Sequence, residues 1–350
     1  MLRTRFTELL GCTIPLQQAA IGSLARPRLA AAVADAGGLG MVALSGVPAP
    51  IAVRILDETR RLTSGVFGAS FIVPFMMDET TKKLDSECAG AIEVAGSDAR
   101  VVEFFYDFPD PSLVETAHAG GALACWQVGS RDEAVAAERV GCDFIVAQGT
   151  EAGGHVRGKI GLLALLGEVL ESVRIPVVAA GGIGTDRAMA AALAAGASAV
   201  RVGTRFVAAE KAEAHPVYVE SLIAAEAKDS MLTETFSANW PNAPHRVLRS
   251  SVEAAQRFPG EVVGERTYPW APEVRVPVRR FQSFSPDKAT TGEIRAMPLW
   301  AGESVDGVKG PQAAGEIVRE LAEGAEKLLR LWGGQETIPE SRVARFGGEE

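Results

Sequence analysis

The chain has little of what marks metal-cluster, disulfide-rich and membrane proteins. Its four cysteines are widely spaced over 350 residues and form no CxxC pair, whereas zinc and iron–sulfur sites need clustered thiolates. No run approaches the roughly 20 apolar residues of a membrane span, so we expect neither a metal site nor membrane association. In a reducing compartment the cysteines are expected to be small buried hydrophobes: Cys12, Cys88, Cys125 and Cys142.

Positive charge is also scarce, because 35 Lys and Arg residues face 44 Asp and Glu residues and the net charge is −9. A surface that follows nucleic-acid phosphates needs clustered Lys and Arg, so nucleic acid is not an expected partner. Segment 1–16 has only a short apolar run, broken by Gly11, and lacks a small-residue cleavage site. We therefore predict no signal peptide, a cytoplasmic location and a small-molecule substrate, and self-association into a homo-oligomer stays open.

The chain alternates β-rich runs with Ala- and Leu-rich segments of helical spacing. Strands are predicted over residues 14–19, 40–44, 67–73, 101–106, 123–128, 144–148, 176–180 and 199–203. Helices are predicted over residues 28–36, 50–62, 113–119, 131–140, 162–173, 186–194 and 217–227. Eight units within about 230 residues match a closed (β/α)₈ (TIM) barrel, and near-continuous apolar strands suit a parallel sheet covered on both faces. The alternative is an open doubly wound sheet.

After residue 228 the alternation stops. Many prolines follow and no βα unit is visible, which predicts a cap or lid with helices near 244–256. Residues 310–332 have the spacing of one amphipathic helix that returns to the barrel, with this apolar stripe: Ile317, Leu321, Ala325, Leu328 and Leu329. The predicted organisation is a barrel over 1–228, a cap over 229–300 and a C-terminal segment with a helix over 301–350.

Two strand exits are rich in glycine in a way that core packing does not require. Gly181 and Gly182 follow strand seven, and adjacent glycines let a ligand approach the backbone. Thr185 or Asp186 can cap the next helix, whose positive end attracts anions. Gly203 and Thr204 lie in a similar way at the exit of strand eight. The loops after strands seven and eight are where phosphate commonly binds in a barrel. The alternative is that these glycines only permit tight βα turns.

The exit of strand six is the third and longest such segment, Gln148-Gly149-Thr150-Glu151-Ala152-Gly153-Gly154-His155. We expect a mobile loop in which His155 is a functional residue, because its near-neutral pKa lets it donate a hydrogen bond or take a proton. The other histidines are expected to be structural or solvated: His118, His215 and His245.

Residues 38–43 match the letters of the dinucleotide-binding pattern GxGxxG/A. The match follows a predicted helix and runs into a strand, which reverses the strand–turn–helix order that the motif requires. We therefore interpret it as accidental.

These loops resemble those of the nitronate monooxygenase (2-nitropropane dioxygenase-like) family of FMN-dependent barrels. Residues 148–155 look like the family's long QGxEAGGH motif, and 180–183 with 201–206 are similar to its phosphate-binding pair. Residues 36–40 and 301–304 also fit. The resemblance covers most of the chain and is weakest in the cap.

The resemblance implies FMN as the cofactor and His155 as the residue that faces the substrate. Ala19 opens the segment that replaces the family's Ala-Pro-Met after strand one, and Ser70 lies where the family usually places a flavin-contacting asparagine. The residues assigned to the cofactor are Ala19, Ser70, Gln148, Gly153, Gly181, Gly182, Gly203 and Thr204. Arg201 stands where glutamine is common, and Trp126 is expected to reshape the pocket.

The implied reaction is oxidation of an alkyl nitronate to a carbonyl compound and nitrite, with dioxygen or another acceptor reoxidising the flavin. Related FMN barrels that use NAD(P)H, either quinone reductases or enoyl-thioester reductases, share the histidine-bearing loop and are the alternative. A flavin-free phosphate-binding barrel with Schiff-base chemistry would need a lysine in the mouth, and Lys159 is the only lysine near a predicted strand exit. A non-catalytic flavin or phosphate binder also stays open.

Overall fold

The computed structural model describes residues 2–77, 84–268 and 270–334, in which eight parallel strands form a barrel. The strands are β1 Leu16–Gln18, β2 Gly40–Ala43, β3 Phe67–Ile72, β4 Val101–Phe105, β5 Leu123–Val128, β6 Phe144–Gln148, β7 Val177–Ala180 and β8 Ala199–Val202. β1 pairs with β8. On its other side, Gln18 N donates to Leu39 O (2.9 Å) and Leu39 N donates to Leu16 O (2.8 Å), which closes the ring. The predicted barrel is confirmed, and the open doubly wound sheet is wrong.

Twelve α-helices lie in the described ranges. They are α1 Arg5–Leu10, α2 Pro27–Asp35, α3 Ala49–Leu62, α4 Ser86–Asp98, α5 Pro111–Ala119, α6 Arg131–Arg139, α7 Leu162–Ser172, α8 Asp186–Ala194, α9 Thr204–Val207, α10 Pro216–Ile223, α11 Arg249–Arg257 and α12 Ala314–Trp332. The six helices predicted between strands coincide with α2, α3 and α5 to α8. The sequence pattern does not predict α4, since its two glycines weaken the helical signal. Asp85 begins α4 by accepting the N–H groups of Glu87 and Cys88.

The C-terminal helix completes the outer ring of the barrel. α12 packs between α8 and α2, with Leu321 and its apolar stripe buried. Arg205, after β8, forms an ion pair with Glu320 of α12 (3.0 Å). The predicted return of this helix is confirmed. The helix predicted over 217–227 is α10, which ends at Ile223 and places Tyr218 in the apolar cluster of the cap.

Two small antiparallel sheets make up much of the cap, the region 229–300. One pairs β9 Ser230–Thr233 and β10 His245–Leu248 with a two-residue strand at Gly154–His155. The other pairs β11 Val262–Tyr268 with β12 Ala271–Arg279 and β13 Thr291–Gly292. The helix expected near 244–256 is α11, preceded by β10. The boundaries at residues 228 and 300 stay predictions.

The interior of the barrel is apolar at one end and polar at the other. Alternate strand residues point inward, and the lower layer contains Val101, Cys125 and Phe144. Phe6 of α1 closes that end, with its ring 5.6 Å from the ring of Phe144. The inward residues at the carboxyl ends are polar, which places the site there.

Trp126 points outward, away from this interior. It is fully buried between the sheet and the helices, with its ring 5.1 Å from that of Phe104. The expectation that it reshapes the pocket is therefore wrong, because the strand alternation puts Gln127 on the inner face instead.

The GxGxxG-like segment has a packing explanation. A Cβ on Gly40 would lie 2.0 Å from Ala30 O, so glycine lets α2 pack closely on β2. Three of the four cysteines are buried and Cys88 is half-buried, and burial raises the pKa of the Cys12 and Cys142 thiols to about 12. No helix in the described ranges is long and apolar enough to cross a membrane.

Candidate active site

A cavity of about 1020 Å³ lies at the carboxyl ends of the strands, beneath the cap. All nine residues assigned to the site from the sequence line this one cavity: Ala19, Ser70, Gln148, Gly153, His155, Gly181, Gly182, Gly203 and Thr204. The fold thus brings together segments that lie up to 185 positions apart in the chain. The roles of these residues toward a cofactor stay predictions.

The glycines after β7 and β8, Gly181, Gly182 and Gly203, form a recess in the cavity wall that we call the glycine cradle. Gly181 and Gly182 have φ values of +112° and +68°, a region that side chains rarely adopt, and within the described ranges their N–H groups donate to no protein acceptor. A Cβ on Gly203 would meet the Cβ of Ala19 at 3.4 Å, so it would fill the space between two loops. Unpaired N–H groups at this position fit the phosphate of a nucleotide cofactor.

The capping prediction for α8 is confirmed, since the Thr185 side chain accepts the N–H of Ala188 (3.2 Å). Thr185 itself does not line the cavity. Thr204 does, and its hydroxyl accepts the N–H of Gly302 (3.1 Å), which leaves the O–H free to donate. The part of the wall suited to an anion is therefore the pair of glycine loops and Thr204.

The histidine-bearing loop is hydrogen-bonded to the barrel and to the cap. Gln148 Nε2 donates to His155 O (2.9 Å), and Gln148 Oε1 accepts the N–H of Arg157 (3.3 Å). The Glu151 carboxylate accepts the N–H of Leu162 at the start of α7. Pairing of His155 with His245 of β10 fixes the loop to the cap. The local sequence does not predict this strand pairing because it is a long-range contact, and the expected mobility of the loop stays a prediction.

His155 lies in an aromatic cage. Its ring stacks on Trp240 at 4.0 Å and 28°, and Trp300 lies 5.3 Å away. Ser283 Oγ is 3.4 Å from His155 Nε2. Burial, assisted by the charge of nearby His245, lowers the pKa of His155 to about 3. The imidazole is therefore neutral at physiological pH, with one N–H and one lone pair.

The other histidines have structural partners, as the sequence suggested. His245 Nε2 accepts the N–H of Phe236 (3.1 Å), so Nδ1 carries the proton and donates to Ala243 O (2.8 Å). His215 Nδ1 accepts the N–H of Val217 at the start of α10, and His118 contacts Asp143 at 2.8 Å. His155 is left as the histidine that lines the cavity.

The lowered pKa of His155 predicts a pH dependence of stability. An unfolded histidine titrates near 6.5, so as pH falls from about 6.5 toward 3 the unfolded chain binds a proton that the native chain does not. Native stability should then decrease, at up to about 1.4 kcal/mol per pH unit from this group. We expect urea unfolding of the flavin-free protein to show a steeper loss over this window than His155→Asn. His245 is kept in both proteins, so parallel curves would contradict the buried neutral imidazole.

A charged network forms the floor of the cavity. Glu103 of β4 is fully buried, and its Oε1 accepts from Arg201 Nη2 (2.6 Å) and Ser70 Oγ (3.0 Å). Gln17 Nε2 donates to Glu103 Oε2 (2.7 Å), and Arg201 Nη1 donates to Gln127 Oε1. The Ser70 hydroxyl thus donates its hydrogen bond to Glu103, so only its oxygen lone pairs are available to a ligand.

Sequence reasoning missed Glu103, although a charged residue inside the apolar run Val101–Phe105 was a visible signal. It also missed Trp240 and Trp300, for which no local signal exists because the cap brings them over the barrel. Lys159 is exposed and does not line the cavity. Over residues 2–77, 84–268 and 270–334, no group of three or more His, Cys, Asp or Glu side chains is placed to hold a metal ion.

Comparison with known proteins gives consistent matches over nearly the whole chain. The family profile described as nitronate monooxygenase matches residues 3–324. A probable nitronate monooxygenase of Staphylococcus aureus (strain JH9) is 26% identical over 338 residues, with 86% of this chain and 92% of that protein covered. FabK from Thermotoga maritima superposes with a TM-score of 0.76 at 26% identity, covering 96% of this chain and 100% of its own. Nitroalkane oxidase from Streptomyces ansochromogenes gives 0.73 at 28% identity, covering 93% and 99%. The chain therefore belongs to the nitronate monooxygenase family of oxidoreductases.

Proposed function

We propose that the cavity binds FMN and that the protein oxidises alkyl nitronates with dioxygen to a carbonyl compound and nitrite. The observation that carries the proposal is the convergence of both glycine loops and His155 on one cavity. Family membership supports the same reaction class. When bound, FMN supplies the electron-accepting ring, which no side chain can replace.

The chain's residues divide into two groups around such a cofactor. Those that would hold the phosphate offer backbone N–H groups and a hydroxyl: Gly181, Gly182, Gly203 and Thr204. Those that would border the rest of the nucleotide lie on the walls and floor: Ala19, Ser70, Gln148 and Gly153. The glycine cradle fits the first role because it presents unpaired N–H groups.

His155 is suited to bind an anion rather than to remove a proton. Its neutral ring can donate one N–H to a nitronate oxygen, and the cage of Trp240 and Trp300 limits water at the same place. A pKa near 3 makes the ring a weak base, so it is poorly matched to abstracting the α-proton of a neutral nitroalkane. The burial of His155 therefore favours a substrate that is already a nitronate.

The direct test is the visible spectrum of the protein followed by anaerobic reductants. We expect purified or FMN-reconstituted protein to show flavin absorption, to lose it when a nitronate is added without oxygen, and to regain it in air. The released cofactor should be FMN by chromatography and mass. Protein that stays colourless after reconstitution with FMN would end the proposal.

An NAD(P)H-dependent quinone or enoyl-thioester reductase is the second candidate. Its supporting observation is the cavity volume of about 1020 Å³, which slightly exceeds the roughly 300–1,000 Å³ typical of a small-molecule site and so favours a site that holds a second molecule beside the flavin. Anaerobic bleaching by NADH or NADPH, with none by a nitronate, would decide for this candidate. A flavin-free Schiff-base barrel is disfavoured because, over the described residues, no lysine lines the cavity.

A further inference from the structure

Ser283 of the cap lies beside the edge of the His155 imidazole. Its Oγ is 3.4 Å from His155 Nε2, a longer separation than the roughly 2.5–3.2 Å of most hydrogen bonds between nitrogen and oxygen atoms. Both residues are half-buried and both line the cavity. The two polar groups are therefore close enough to contact one ligand together, and their own hydrogen bond is weak enough for a ligand to replace it.

The imidazole is open to a ligand at its edge rather than at its stacked face. Trp240 covers that face with a ring separation of 4.0 Å, and an imidazole forms hydrogen bonds through its two nitrogens, in the plane of the ring. Among the described residues, Ser283 Oγ is the only group hydrogen-bonded to either ring nitrogen, and it has no further partner. The edge at Nε2 thus carries two polar groups whose hydrogen bonding is incomplete.

The pair has one more proton than its mutual contact uses. The ring, whose pKa of about 3 keeps it uncharged, carries one N–H, and Ser283 carries one O–H. One proton lies between them, so the other has no acceptor in the part of the chain that the structure describes. Because no described group pairs with Nδ1, the ring proton can lie on Nε2. An anion with two adjacent oxygens can then accept from Nε2–H and Oγ–H together.

The cap holds Ser283 at this edge through several contacts. Asn239 Oδ1 accepts the N–H of Ser283 (2.6 Å), and Asn239 Nδ2 donates to Ser283 O (3.3 Å). Ala238 N donates to Phe281 O (3.0 Å), and Phe281 has a φ of +65°, which bulky side chains rarely adopt. The two cap segments are thus joined, so that one supplies Trp240 to the face of the ring and the other supplies Ser283 to its edge.

We propose that Ser283 and His155 form a two-donor site for the anionic end of the substrate, in which Ser283 Oγ–H and His155 Nε2–H each donate to one of the two nitronate oxygens. The inference rests on the proposed function, because it adds a second residue for the same substrate. Asn239 is a positioning residue, since it acts through the backbone of Ser283. Charge-assisted hydrogen bonds are stronger than neutral ones, so the site selects the nitronate over the neutral nitroalkane.

The test is calorimetric titration of FMN-loaded protein with sodium nitrate, a planar anion whose neighbouring oxygens resemble those of a nitronate. Ser283→Ala should raise the nitrate dissociation constant about tenfold or more, because it removes a hydrogen bond to a charged group. Ser283→Thr keeps the hydroxyl and should bind nitrate nearly as tightly as the wild type. Ser221→Ala is the matched control, because Ser221 is half-buried, donates to Val217 O (2.7 Å) and does not line the cavity.

A second set of variants distinguishes a donor from a group that only orients the imidazole. Adding Ser283→Ala to His155→Ala should weaken nitrate binding further, because the hydroxyl donates by itself. Equal affinity in the single and double variants would overturn the two-donor site, since Ser283 would then act only through the ring. Asn239→Ala should weaken nitrate binding in the wild type but not in Ser283→Ala, the non-additivity expected of a residue that acts through another.

Wild-type nitrate affinity in Ser283→Ala contradicts the two-donor site. Asn239 is exposed, so Asn239→Ala decides in the same way if Ser283→Ala does not fold. Each preparation is also assayed for flavin content and for anaerobic flavin bleaching by an alkyl nitronate. Bleaching at equal rates in Ser283→Ala and wild type refutes the two-donor site alone. Protein that takes up no flavin refutes the proposed function and can still be titrated with nitrate, so the two failures are distinguishable.

Discussion

Flavin reduction by a nitronate is expected to slow by roughly 10²-fold or more when His155 is replaced by alanine, a loss typical of removing one donor from a developing or bound oxyanion. The imidazole is neutral, half-buried and stacked on Trp240, so its N–H acts where water competes less than in bulk solvent. Flavin content should stay unchanged, because the phosphate cradle lies on other loops. The measurement is the anaerobic single-turnover rate of flavin bleaching, followed by stopped flow.

A second substitution separates the two roles open to this histidine. His155→Asn keeps an N–H donor but has no basic nitrogen, so it should recover part of the rate with a preformed nitronate. If His155 were a base toward nitroalkanes, Asn would be as slow as Ala. His118→Asn is the control, since His118 contacts Asp143 far from the cavity. Unchanged rates in His155→Ala would remove the histidine from the chemistry.

The barrel was predictable because its strands are covered on both faces and therefore stand out as apolar runs. The predicted edges differ from the observed ones by a few residues, as at β1, where 14–19 contracts to Leu16–Gln18. The position of α12 in the barrel was not predictable in the same way. Its amphipathic stripe predicts burial, but only the three-dimensional ring shows that it fills the place between α8 and α2.

The site was predictable only where its signal is local. Glycines 181, 182 and 203 sit at strand exits and can be recognised without knowing the fold. The cage around His155 is long-range, since Trp240 and Trp300 come from the cap, whose irregular sequence predicts no pairing with the loop after β6.

Replacing Glu103 with alanine should destabilise the protein by about 3–5 kcal/mol, because it leaves the Arg201 guanidinium buried without its counterion. Gln17 and Ser70 would lose their acceptor as well. Removing both charges together, with Glu103→Leu and Arg201→Met, should cost much less than the single change, since a buried ion pair is often replaceable by apolar residues. The measurement is denaturant unfolding of the flavin-free protein.

The control for Glu103 is an ion pair that solvent already screens. Glu265 and Arg275 lie 3.3 Å apart with both side chains more than half exposed, so Glu265→Ala should change stability by less than about 1 kcal/mol. A Glu103→Ala effect as small as this would mean that water reaches Arg201 in the floor of the cavity. The buried network would then not hold the floor rigid. We expect a large loss of stability in Glu103→Ala and a small loss in the double variant Glu103→Leu with Arg201→Met. That result would show that the loss comes from leaving the Arg201 guanidinium unpaired, as the burial of Glu103 and Arg201 requires.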